Sequence, residues 1–504
     1  MNPELNDPAA PDSSSTVSPS PAPSQSCPAA PLVGMPTVWQ GVWETLRLAA
    51  PTVATMVSYT AMQFVDALMV SRIEPPDPVY VTAQGNGGVW AFMPLSFLMG
   101  MLGVVNTYVA QNLGAGKPER GAAYAWNALW MAAGASLLLI PYALTLPALF
   151  ATEWLNHSPQ LQELETAYAQ VLLFGAFLTL GTRALAQYFY GLHRPAVVLV
   201  AALAGNLTNV LANWVLIYGR PELGIPAMGV TGAALGTLVG TAVELSIPLA
   251  VFLSPTFNRL YHTRRAWRPS LAHIRDIFKI GWPASIMFGN EMICWAIFMT
   301  VLAGRFGEEH NAAGWIVLRY MHLSFMPAVG LSFAATAMVG RAIGAGRHDL
   351  ASRYAMTVTA IAGGYMLICA VCFVVFRESM IAVFLKEGTP PEEAAAIIAI
   401  GAKVLIVAAV FQLFDGVGIT LIGALRGAGD TKVPSVVTIV LAWVCIIGVG
   451  TALVVWAPGL ESLGPWIGAG LYIVALGIFL TFRWLGGAWK NMKLLEGSAA
   501  AAAH

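Results

Sequence analysis

The amino-acid sequence predicts an all-α integral membrane protein, with twelve transmembrane helices forming two six-helix lobes related by a pseudo-twofold axis along the membrane normal. Composition is the first reason. Of 504 residues, 57% are hydrophobic and only 10% are charged, with a mean hydropathy of +0.68. A soluble domain carries roughly 25% charged residues. Internal repetition is the second. Gly281-Trp282-Pro283 opens a long apolar segment, and Ala49-Ala50-Pro51 opens another about 232 positions earlier. Gly114-Ala115-Gly116 recurs as Gly344-Ala345-Gly346 at an offset of about 230. Gly229-Val230-Thr231-Gly232-Ala233 is echoed by Gly464-Pro465-Trp466-Ile467-Gly468-Ala469 at about 236. Three landmarks with nearly one offset mark two copies of a unit too long for a solenoid. Many secondary transporters are built this way, with the substrate site between the repeats.

A membrane helix needs about 20 predominantly apolar residues. In the first half such segments fall at 43–71, 80–110, 120–147, 161–191, 195–218 and 229–253. In the second they fall at 273–303, 312–340, 351–378, 395–425, 433–456 and 465–487. Their many Gly and Pro residues are tolerated where neighbouring helices satisfy the freed backbone groups. Gly-Ala-Gly near 114 and 344 ends a helix ahead of basic residues. It reads as a turn device and not a phosphate cradle, because no lysine-serine pair follows.

An even number of spans puts both termini on one side, and six per half gives the halves the same orientation. One set of loops holds Lys117, Arg120, Arg194, Arg259, Arg264, Arg265, Arg268, Arg275, Lys279, Arg341, Arg347, Arg353, Arg426, Lys432, Arg483, Lys490 and Lys493. The other holds only Arg72, Arg220, Arg305, Arg377 and Lys386. The positive-inside rule makes the first set and both termini cytoplasmic. The expected division is a Pro/Ser/Ala-rich disordered tail at 1–38, an N-lobe at 39–256, a basic cytoplasmic linker at 257–272, a C-lobe at 273–490 and a tail at 491–504. The linker reads as a topogenic loop that could also meet anionic lipid. Zero formal net charge argues against nucleic-acid binding. Four of the five cysteines, Cys294, Cys369, Cys372 and Cys445, sit in apolar runs as small hydrophobes. Cys27 has no signal-peptide context, so a lipoprotein reading fails.

An ionisable group inside a membrane is costly and faces a cavity or a partner. Asp66 in the first span, Glu291 in the seventh and Asp415 in the tenth are therefore the cation-coupling candidates. Shifted by the repeat offset, they land on Phe298, Tyr59 and Thr179, so the shared architecture does not supply them. Paired carboxylates in a low-dielectric cavity can exchange a proton for a sodium ion or a cationic substrate. Na+ is thus possible at Glu291 and Asp415. A structural carboxylate, paired to a base or capping a broken helix, is the competing reading. Asn209 and Asn213, four apart on one helix face, would join Asp66 in a first-half site or simply bond between helices. Tyr59, Gln63, Phe288, Met292 and Gln412 are candidate cavity residues. Glu244, Arg183, Arg319 and Lys403 are further charged residues within spans. No Walker loop, HExxH helix or GxSxG elbow is present, the eight histidines show no metal spacing, and neither an enzyme nor a cofactor is expected.

These residues resemble the multidrug and toxin extrusion (MATE) family. Phe64-Val65-Asp66 follows a proline by about fifteen residues, as in that family. Val109-Ala110-Gln111-Asn112-Leu113-Gly114-Ala115-Gly116 and its counterpart Val339-Gly340-Arg341-Ala342-Ile343-Gly344-Ala345-Gly346 look like its helix 2–3 junction and repeat. Leu425-Arg426-Gly427-Ala428-Gly429-Asp430-Thr431-Lys432-Val433-Pro434 looks like its helix 10–11 junction, shortened in the first half to Gly191-Leu192-His193-Arg194-Pro195. Asn209 through Gly219 resembles its helix 5. The resemblance covers residues 40–490 and leaves the N-terminal tail outside. It implies alternating access and export of organic cations, driven by inward sodium or proton movement. In the NorM-like branch it implies coupling by Asp66, Glu291 and Asp415. A lipid-linked saccharide flippase of the wider superfamily is the alternative. It would need a strongly basic cavity, whereas the in-span acids here outnumber the bases. The expected setting is a monomer in a bacterial inner membrane, binding small organic cations.

Overall fold

The structure, a computed structural model, describes residues 37–152, 157–385 and 390–495. The expected N-terminal tail up to residue 36 and the C-terminal tail from 496 lie outside the described residues. Twelve crossings follow one another: α1 (Val38–Val70), α2 (Pro78–Gly114), α3 (Pro118–Phe150), α4 (Pro159–Phe174 with Ala176–Gly191), α5 (Pro195–Leu216), α6 (Gly229–Leu253), α7 (Leu271–Phe306), α8 (Glu308–Gly344), α9 (His348–Val375), α10 (Pro391–Ala428), α11 (Lys432–Trp456) and α12 (Leu463–Leu485). Eleven are helices long and apolar enough to span. The twelfth, α4, is a pair bent by 48° at Gly175. A Cβ at Gly175 would lie 2.2 Å from Leu238 Cδ2, so the kink lets α4 approach α6.

Local chemistry sets the boundaries. α1 starts at Val38 rather than near 43, because Thr37 and Gln40 form a capping box. Pro78, Pro159, Pro195 and Pro391 each stand in the first turn of a helix, where a missing N–H costs nothing. The Gly-Ala-Gly turns end α2 and α8 identically. Lys117 N–H donates to Asn112 O (2.9 Å) and Arg347 N–H to Ala342 O (2.8 Å). Gly116 and Gly346 adopt φ of +73° and +72°, the left-handed closure that glycine permits. The chain continues past α12 to the end of the expected C-lobe. It forms a short turn, Ala488–Asn491, with Trp489 stacked on Trp484 at 4.3 Å.

Helices α1–α6 pack among themselves, as do α7–α12. Across the halves α1 meets α8, α2 meets α7, and the second segment of α2 (Val104–Gly114) meets α8 and α10. Exchanging the halves turns α1–α8 into α7–α2, so the seam carries the predicted pseudo-twofold relation. Gly114 and Gly344 sit on it. A Cβ on Gly114 would fall 1.9 Å from Arg341 O, and one on Gly344 2.0 Å from Gln111 O. We call the side with the arginine- and lysine-rich loops the basic face. Hydrogen bonds across the seam run from mid-depth to that face: Thr52 Oγ1 to Gly330 O (2.8 Å), Asn106 Nδ2 to Phe333 O (3.3 Å), Gln111 Nε2 to Gly427 O (2.9 Å) and Tyr354 Oη to Glu44 Oε2 (2.7 Å). The linker is pinned to α3. It begins in a short helix, Pro255–Tyr261, and Trp126 and Trp130 donate to Thr263 O and Trp267 O.

Candidate functional site: carboxylates flanking the seam

The first-half site grows from α1, α5 and α6. Asn213 Nδ2 donates to Asp66 Oδ1 (2.7 Å) and also lies 3.3 Å from Asn209 Oδ1, while Asn209 Nδ2 faces Thr237 Oγ1 (3.4 Å). Asp66, Asn209 and Asn213 are all buried. The asparagines fit because α6 presents glycines there: a Cβ at Gly236 would lie 2.0 Å from Asn213 Oδ1, and one at Gly240 2.7 Å from Asn209 Cβ. Asn213 Oδ1 is buried without a hydrogen-bond partner. The structure thus gathers these three residues around one carboxylate, with oxygen atoms of the hard type that Na+ prefers.

The second-half site lies on α7, α10 and α12. Tyr472 Oη donates to Glu291 Oε1 (3.1 Å), and Asp415 lies within electrostatic reach of both Glu291 and Tyr472. Tyr472 was not a sequence candidate. Nothing in an apolar span marks which tyrosine will face a carboxylate 181 positions away. Immediately after Glu291's helix, α7 passes through a π-helical segment, Phe298–Ala303, and α11 carries another, Ala442–Val449. Such widened turns recur at functional sites. α1 and α5, their first-half counterparts, are regular.

The cavity candidates divide. Tyr59 donates to Glu244 Oε1, giving Glu244 the partner that the sequence did not supply. Tyr59 is seven residues from Asp66 on α1, and Glu244 seven from Thr237 on the antiparallel α6. This pair therefore lies about 10 Å from the Asp66 cluster, toward the basic face. Gln63 is exposed, Phe288 half-buried and Met292 38% exposed. Gln412 is buried inside the second half, with Ser324 Oγ and Met366 Sδ as partners. Near the face opposite the basic one, Glu165 is fully buried and fully engaged by His157 (2.6 Å) and Asn86 (3.0 Å). That saturated carboxylate ties α4 to α2 and contrasts with Asp415, for which no hydrogen bond is found among the described residues. Also among them, no group of three or more His, Cys, Asp or Glu could hold a metal ion.

Comparison with known proteins places this geometry. The MatE family model matches residues 51–215 and 283–451, one stretch in each half. The sequence is 31% identical over 465 residues to a Pseudomonas putida protein named "Probable multidrug resistance protein NorM", covering 89% of this chain and 95% of that one. It is 29% identical over 455 residues to the protein of that name from Mesorhizobium japonicum, covering 88% and 94%. Among solved structures, a multidrug resistance MATE family transporter in an outward-facing conformation superposes with a TM-score of 0.78 at 22% identity, over 90% of this chain and 97% of that one. A superfamily transporter from Pyrococcus furiosus superposes at 0.79 with 23% identity, over the same shares. With both halves matched and the twelve-helix architecture in place, the chain belongs to the MATE family of membrane transporters.

Proposed function

We propose that this protein is a secondary active multidrug efflux antiporter, exporting organic cationic and amphipathic compounds in exchange for Na+ or H+ by alternating access. The observation that carries the reading is the pair of separate carboxylate centres, Asp66 with Asn209 and Asn213 on one side of the seam, and Glu291 with Asp415 on the other. Each side can hold a cation, and each presents acids that the repeat does not share. Multidrug resistance relatives support the substrate class. The basic face is the cytoplasmic one by the positive-inside rule, and the bacterial relatives favour an inner-membrane setting. The seam is hydrogen-bonded on the basic face, so alternating access requires those bonds to break. The protein works as a monomer, since each chain contains both centres.

Ethidium efflux from proteoliposomes, with sodium and proton gradients imposed separately, tests the reading. One gradient should drive efflux and so name the coupling ion. Asp415→Asn should abolish gradient-driven efflux in a well-folded protein. Wild-type coupled efflux by that variant would remove Asp415 from the assignment. Silence of the wild type under both gradients would move weight to a lipid-linked saccharide flippase.

A further inference from the structure

The linker between the halves is basic and folded, and the carboxylate centres make no use of it. Between Glu244 and Glu291 the chain carries Arg259, Arg264, Arg265, Arg268, Arg275 and Lys279 against one acid, Asp276. That acid is engaged from within the fold, where Tyr124 Oη donates to its Oδ2 (3.1 Å). Three bonds with α3 hold the linker backbone. Trp126 and Trp130 donate to Thr263 O (2.7 Å) and Trp267 O (2.8 Å), and Ser270 N–H donates to Asn127 Oδ1 (2.8 Å). Arg264 adds a tie of its own, from Nε to Leu253 O (2.8 Å). The bases therefore stand on a fixed backbone.

Arg265 and Arg268 are exposed on the linker, and Arg275 and Lys279 on the first turns of α7. No ion pair holds any of these four among the described residues. Exposed apolar side chains stand beside them. Trp267 is 50% exposed next to Arg268. Phe278 and Trp282, both exposed, share one helical face with Arg275 and Lys279. That face continues into the span as Ile286 and Ile293, and the exposed face of α3 runs likewise from Trp130 to Leu137 and Leu144. Lipid tails cover such faces, and tryptophans at their ends belong at headgroup level. The bases lie next to those tryptophans, on the side of the basic face.

The repeat does not supply this patch. Shifted back by 232 (275 − 43), Arg275, Phe278 and Lys279 fall on Trp43, Leu46 and Arg47, an exposed face of α1 with one base. No Lys or Arg precedes Arg47 in the chain. Setting the topology needs positive charge in the linker. It does not need a backbone tied at three points and bordered by exposed tryptophans.

We propose that this edge of the molecule, where the linker crosses α3 and meets α7, binds anionic phospholipid. The phosphates would meet Arg265, Arg268, Arg275 and Lys279, and the acyl chains would run along Phe278 and Trp282 into the span. The guanidinium fork matches a phosphate, and each juxtamembrane base strengthens binding to an anionic surface by about fivefold.

The test is thermal unfolding of the purified full-length protein in detergent, titrated with dioleoylphosphatidylglycerol or dioleoylphosphatidylcholine. The two lipids share their acyl chains and differ in net charge. Phosphatidylglycerol should stabilise the wild type saturably, with half-saturation at least about tenfold lower than phosphatidylcholine. High salt should shrink that preference. Arg265→Gln, Arg268→Gln, Arg275→Gln and Lys279→Gln combined should erase it, and Arg47→Gln on the counterpart face should leave it intact. If the four-site variant does not fold, Arg268→Gln with Lys279→Gln must still weaken it. Equal responses to the two lipids, or an undiminished preference in the glutamine variants, overturn the site and leave the linker a topogenic loop only. Glycerol 1-phosphate supplies headgroup charge without chains. A response to it matching that to phosphatidylglycerol would indicate a site for soluble phosphate and overturn the lipid assignment. Lipid binding does not depend on what is transported, so this inference and the efflux reading fail separately.

Discussion

His193 stands where the other half has a glycine. It caps α4 at φ +60°, as Gly429 caps α10 at φ +89°. The closing bonds match as well: Arg194 N–H to Phe189 O (2.8 Å) and Asp430 N–H to Leu425 O (2.9 Å). Burial first, and then the nearby Arg341, push the His193 imidazole down to about 3, so it is neutral in the folded protein. The unfolded chain takes up a proton near pH 6.5, which the folded chain resists. Stability is therefore full above that pH and falls as pH drops from about 6.5 toward 3. His193→Asn tolerates the left-handed conformation and does not titrate. Its thermal unfolding should lose this acid sensitivity, and an unchanged profile would reject the assignment. Gly236 gives a second test. An alanine there would push Asn213 away from Asp66, since its Cβ would lie 2.0 Å from Asn213 Oδ1. Gly236→Ala should raise the coupling-ion concentration needed for half-maximal efflux by about tenfold, the loss of one charge-assisted hydrogen bond, with the Glu291 side untouched. Equal ion dependence in variant and wild type would detach the Asp66 cluster from coupling.

The helices were readable to within a few residues wherever hydrophobicity marks their limits. They were missed where polar chemistry sets the limit. Thr37 and Gln40 extend α1 outward to Val38 through a capping box, a side-chain-to-backbone device that a search for apolar runs does not register. The bend in α4 and the π turns of α7 and α11 were not foreseen, because composition records a helix's length and not its regularity. The Gly-Ala-Gly turns were read correctly as helix ends, but their second role was hidden. Gly114 and Gly344 each admit a carbonyl from the opposite copy, so the repeated motif packs against itself. Gly344→Ala should cost about 1–3 kcal/mol by overpacking this crossing. It should appear as a lower unfolding temperature and increased labelling of cysteines placed at the basic face. A variant as stable as wild type would show that the seam relaxes freely there.

Two six-helix halves joined along α1–α8 and α2–α7 make an arrangement that can rock about its own axis. The bonds from Thr52–Gly330 to Glu44–Tyr354 all lie between mid-depth and the basic face. They must break for the cleft to open there. Glu44→Cys with Tyr354→Cys, joined by a short bifunctional thiol reagent, should stop efflux, and cleavage of the link should restore it. Full efflux in the linked protein would exclude separation of the halves at this face. The number of spans, the duplication, the parallel orientation of the halves and the three isolated acids were all legible in the chain, because hydrophobic length, repeat offset and buried charge are properties of local sequence. Only the tertiary structure decided that Asn213 faces Asp66, Tyr472 faces Glu291, Tyr59 holds Glu244 and Arg183 lies against Phe333. Those partners depend on how each helix is rotated about its axis. A helix in lipid is apolar on its outward side as well as its inward one, so it carries no polar stripe to fix that rotation. The packing of α1–α12 against one another supplies it instead.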